Sequence, residues 1–131
     1  MIRALALLIA FSLSDAALAA QPLDQQTSNR EAVTIKATPL KVDGPVWEFE
    51  VVFDTHSQEL NDDMLNAAVL VSPDGSQVKP TAWNGDPPGG HHRKGVLRFD
   101  ALNPRPDVLE LRLSRAKEKT PRSFRWSAPK Q

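Results

Sequence analysis

The chain has 131 residues, 40% of them hydrophobic, with 16 basic and 16 acidic residues, 11 prolines and no cysteine. That length suits one domain with a modest core, and the lack of cysteine excludes disulfides, thiolate metal sites and thiol redox chemistry. The even charge balance conceals a split, since residues 20–92 hold 4 basic and 11 acidic residues while residues 93–131 hold 11 and 4.

In chain order, residues 1–19 read as a secretory signal peptide. Arg3 charges the n-region, Ala4 to Leu13 is apolar except for Ser12, and Ala17-Leu18-Ala19 fits the small-x-small rule for cleavage before Ala20. The apolar run ends at Ser14-Asp15, short of the about 20 residues a membrane span needs. No cysteine follows it for a lipid anchor. The expected location is therefore periplasmic or secreted, with no membrane insertion once the signal is cut. Export also argues against a nucleic-acid partner for the basic second half. Its charges are expected to pair with the acidic half between neighbouring strands.

Residues 20–31 are polar and read as a flexible N-terminal arm; residues 32–128 form the folded domain. Val33, Ile35 and Ala37 alternate with Thr34, Lys36 and Thr38, the period of a half-buried strand. After the turn residues Asp43-Gly44-Pro45, Trp47, Phe49, Val51 and Phe53 share one face of a strand ending near Asp54, with Trp47 and Phe49 as core anchors. Residues 54–64 are loop-like, with a short helical turn near Asn61–Leu65. Ala67–Val71, Gln77–Trp83, Gly95–Asp100, Val108–Ser114 and Arg122–Ser127 follow as strands, separated by Pro- and Gly-rich connections. Asn84–Gly90 reads as an irregular loop. About seven short strands with no long helix predict an all-β fold, a single immunoglobulin-like antiparallel sandwich; a closed barrel is the alternative architecture.

The three histidines flank strands: His56 in Asp54-Thr55-His56-Ser57, and His91 and His92 in Gly89-Gly90-His91-His92-Arg93. Loops at one end of a sandwich can converge, and His56, His91 and His92, with Asp54, have the chemistry to ligate Zn²⁺ or Cu²⁺. The competing structural reading has these histidines stiffening their turns through hydrogen bonds, since adjacent residues of an extended chain face opposite ways. Glu59, Asn61, Asp62 and Asp63 offer oxygens for Ca²⁺ but lack the spacing of a calcium loop, and helix capping by Asn61 or Asp62 explains them as well. Ser57, His56 and an Asp do not make a hydrolytic triad by proximity in sequence, and no nucleophile elbow is present.

The runs Val46-Trp47-Glu48-Phe49, Thr55-His56-Ser57, Gly89-Gly90-His91-His92-Arg93 and Phe124-Arg125-Trp126 resemble a group of small exported or membrane-associated bacterial proteins of unassigned function. These carry a W-x-F strand, a T-H-S turn, a G-G-H-H-R loop and a closing F-x-W strand. The resemblance spans residues 32–127 and implies that the aromatic strands and both histidine loops form one fold unit. It carries no ligand or mechanism. The function expected from the residues is a non-enzymatic binding module of the cell envelope, contacting an envelope protein through a sheet edge or end loop and needing no cofactor. The alternative is a small periplasmic Zn- or Cu-binding domain.

Overall fold

The computed structural model describes residues 23–127; the expected signal peptide lies outside them. The elements are β1 (Gln26–Arg30), β2 (Val33–Lys41), β3 (Val46–Thr55), α1 (Met64–Ala67), β4 (Ala68–Val71), β5 (Gln77–Val78), β6 (Ala82–Gly85), β7 (His92–Asp100), β8 (Val108–Leu113) and β9 (Arg122–Ser127). They build two antiparallel sheets, ordered β1-β2-β3-β7-β6 and β5-β4-β8-β9. The orders β2-β3-β7-β6 and β4-β8-β9 match A-B-E-D and C-F-G of an immunoglobulin-like sandwich. β5 adds the neighbour of C, and β1 is an extra edge strand.

Alternation drives the layering. Trp47, Phe49, Val51 and Phe53 of β3 face inward with Ile35 of β2 and Phe99 of β7. Across the interior they meet Leu70 of β4, Leu109, Leu111 and Leu113 of β8, and Phe124 and Trp126 of β9. Phe49 packs edge-on to Phe99 at 5.7 Å and against Trp126 at 5.8 Å, the arrangement the ring quadrupoles favour. On the outer face of the first sheet, Glu48 pairs with Arg98 at 3.5 Å and Glu50 with Lys94 at 3.8 Å. Acidic β3 thus lies beside basic β7, a pairing of the kind expected from the charge split.

Several boundaries differ from those expected: β6 takes in Asn84 and Gly85 of the expected loop, α1 lies at Met64–Ala67 rather than near Asn61–Leu65, and three further differences bear on the architecture. Gln26–Arg30 is not a flexible arm but an edge strand in register with β2. Its polarity marks a position at the sheet margin, where neither face is fully covered. The run Gln77–Trp83 is two strands in different sheets, β5 and β6. Pro80, buried between them, cannot donate to a ladder, and the chain crosses the sandwich there. β7 begins at His92 rather than Gly95, because Asp54 and Phe53 of β3 extend the ladder to His92 and Arg93.

Candidate functional site at the four-loop end

Antiparallel pairing brings four connections to one end of the sandwich: the β1–β2 turn, residues 56–63 after β3, residues 86–91 between β6 and β7, and residues 114–121 between β8 and β9. All three histidines lie here.

The T-H-S turn is organised by its threonine. Thr55 faces inward, donates through Oγ1 to the Ala32 carbonyl at 2.7 Å, and accepts from the Ser57 and Gln58 amides at 3.3 and 3.1 Å. His56 stands exposed at the tip. The Thr55 amide donates to the His91 carbonyl at 2.9 Å, joining the two histidine loops. One residue on, His92 Nδ1 sits 2.6 Å from Asp54 Oδ1 on the exposed outer face. Among the described residues no group of three or more His, Cys, Asp or Glu side chains is placed to hold a metal ion. The structure therefore brings His92 and Asp54 together but does not gather His56, His91 and His92 into a ligand set.

The G-G-H-H-R loop is built around Trp83 and Arg93. The Trp83 indole lies across two glycines, and a Cβ on Gly95 would fall 2.5 Å from Trp83 Cζ2. Arg93 is only 2% exposed. Its guanidinium lies 5.3 Å over the Trp83 ring and donates to the carbonyls of Asp86 at 3.0 Å and Asp62 at 2.6 Å. Burial lowers the Arg93 pKa, and the nearby Asp62, Asp86 and Asp63 carboxylates oppose that shift. The Gly89 amide donates to Leu60 at 2.9 Å. Gly89 and Gly90 have φ of 116° and 72°, the region that favours glycine. This loop thus pins residues 59–63.

Between residues 58–67 and 114–118 lies an open groove of about 480 Å³, with Glu31 at its rim. Its lining holds a chain of charges. Arg115 bonds Asp62 at 3.2 Å and Glu118 at 3.4 Å, and reaches the Glu59 carbonyl at 3.3 Å. Glu118, almost fully buried, takes two bonds from Arg122 at 2.8 and 2.7 Å. Hydrogen bonding from Arg122 holds the Glu118 carboxyl below its usual range against the opposing effect of burial. Arg122, 0% exposed, donates further to the carbonyls of Ser28 at 3.0 Å, Val33 at 2.9 Å and Arg30 at 2.8 Å. All five of its N–H donors are then used.

The acidic cluster is likewise engaged. Asp62 is salt-bridged to Arg115, and Glu59 accepts from Asn61 at 2.7 Å. Asp63, rather than Asn61 or Asp62, caps α1 through the Leu65 amide at 3.2 Å. Neither buried arginine is a site candidate in the sequence, although Arg93 closes the Gly89-Gly90-His91-His92-Arg93 run. Their signal is positional, because Arg122 shares the inward register of Phe124 and Trp126, and Arg93 that of Leu97 and Phe99. Comparison with family models, curated proteins and solved structures returned no match.

Proposed function

We propose that this chain is an exported, non-enzymatic β-sandwich binding module of the cell envelope, which contacts an envelope protein through its four-loop end. The observation that carries this reading is the groove, whose walls are fixed by the Asp62–Arg115–Glu118–Arg122 chain. Such a surface is ordered before a partner arrives, so little entropy is lost on binding. A Glu118 carboxyl held ionised between arginines suits recognition better than proton transfer, which needs a pKa near the working pH. Among the described residues no helix is long and apolar enough to cross a membrane.

The test is site-specific photo-crosslinking in cells, with the probe at Glu59 or Lys117 on the groove and at Asp43 or Ser76 at the opposite end. Discrete adducts confined to the groove positions are expected. Equal labelling from both ends, or none from either, would sink the proposal.

One contact favours the second reading, a Zn²⁺- or Cu²⁺-binding domain. A carboxylate on Nδ1, as Asp54 is on His92, is the usual way an Nε2 ligand is oriented toward a metal. Under that reading His92→Ala abolishes calorimetrically detected uptake, and uptake weakens as pH falls through about 6.5, where imidazole generally protonates. Binding that survives His92→Ala, or is equal at pH 5 and 7.5, discards it.

A further inference from the structure

The strand β1 sits in a slot between β2 and β9. On one side it forms a regular ladder with β2, from Gln26↔Ala37 to Arg30↔Val33. On the other side lies β9, which belongs to the opposite sheet, and there side chains join the two strands. Arg122 takes the Ser28 and Arg30 carbonyls, and Trp126 Nε1 takes the Asp24 carbonyl at 2.7 Å. The Gln26 amide group both donates to the Arg125 carbonyl and accepts from the Arg125 amide. Arg122 and Trp126 grip backbone carbonyls, so they would hold any strand seated there. Gln26 adds a contact specific to this chain's own β1.

The link between β1 and β2 is the two-residue turn Glu31–Ala32, with φ of 52° and 61°. A hairpin turn of this kind favours Asn-Gly. Here both residues carry a Cβ, which makes the left-handed region costly. If the turn opens to an extended linker, β1 leaves its own slot and both residues return to ordinary backbone. A short strained hinge at a terminal strand is the usual setting for exchange of that strand between copies.

We propose that the β2–β9 slot is a strand-exchange site whose alternative occupant is β1 of a second copy of this chain. In the exchanged dimer each Arg122 keeps Glu118 and Val33 of its own chain and takes Ser28 and Arg30 from the partner's strand. The Gln26–Arg125 and Trp126–Asp24 contacts re-form between copies. Opening the turn costs the Thr55–Ala32 hydrogen bond, so the closed monomer persists at low concentration and the dimer grows by mass action.

The chain's lack of cysteine allows a direct test. Thr27 and Lys36 are opposite each other in the β1–β2 ladder. A Thr27→Cys/Lys36→Cys variant, equilibrated in mild urea, refolded and bridged with a short bis-thiol reagent, is linked within one chain if closed and between chains if exchanged. The expected result on a denaturing gel is a doubled-mass band. Its ratio to monomer rises about tenfold per tenfold rise in free monomer. Adding Glu31→Asn/Ala32→Gly lowers that ratio by roughly tenfold or more, because the turn is then unstrained. Adding Ala32→Pro, which forbids φ of +61°, shifts the protein to a folded dimer. The proposal is overturned if the parent double-cysteine protein gives only intrachain links at every concentration, whatever Ala32→Pro does. A doubled-mass band insensitive to the turn substitutions also overturns it.

Discussion

Arg122 is a charged side chain at a register position that alternation assigns to the core. It is tolerated there because every guanidinium N–H has an acceptor and Glu118 neutralises it. Removing one member leaves a buried, unpaired charge, so Glu118→Ala is expected to cost about 3–5 kcal/mol, read from urea unfolding. The pH dependence has a defined sign. The Glu118 pKa is lowered in the folded state from an ordinary value near 4.5, so the unfolded chain holds that proton more tightly. The stabilisation is therefore complete above about pH 4.5 and is lost as pH falls through the lower folded value. Thermal melts between pH 7 and 3 should show this loss, and Glu118→Gln should flatten the slope in that window. At Gly95 the constraint is steric. A Cβ would overlap Trp83 at 2.5 Å and the Gly85 Cα at 2.7 Å, so a shift of the indole alone does not relieve the clash. Gly95→Ala is expected to destabilise by about 1–3 kcal/mol and to alter the near-UV circular dichroism of the tryptophans.

At the level of elements, β1 and the β1–β2 turn connect sequence chemistry to the closure of the sandwich. Non-glycine residues at φ of 52° and 61° cost roughly 1–2 kcal/mol each, of which a glycine recovers part after its own entropic penalty. Glu31→Gly should therefore raise the urea midpoint by an amount equivalent to about 1 kcal/mol at unchanged slope. A lowered midpoint would show that the Glu31 side chain contributes more than the strain removes. The β5–β6 break and the early start of β7 show the limits of local pattern. The mixed run Gln77–Trp83 with one proline is consistent with a single edge strand, and only the sheet it joins on either side reveals a crossing. His92 and Arg93 look like loop residues beside Gly89-Gly90, yet Asp54 and Phe53 across the ladder draw them into β7.

For the whole molecule, the division into an acidic first half and a basic second half becomes a set of contacts. Glu48–Arg98 and Glu50–Lys94 join β3 to β7, and Asp62–Arg115 joins the loops across the groove. The all-β class and the inward aromatics of β3 and β9 follow from alternation and turn residues, which are local and survive in one dimension; the choice of a two-sheet sandwich over a closed barrel rests on the strand order. That both histidine loops lie at one end depends on the strand order as well. The groove and the roles within it were settled by tertiary structure alone. Whether Arg122 meets Glu118 and the carbonyls of Ser28 and Arg30, and whether His92 finds Asp54 while His56 and His91 remain apart from them, depends on register and side-chain direction between strands distant in sequence. Two-residue periodicity sorts side chains into inward and outward sets, but it carries no information about which inward residues from opposite sheets will touch.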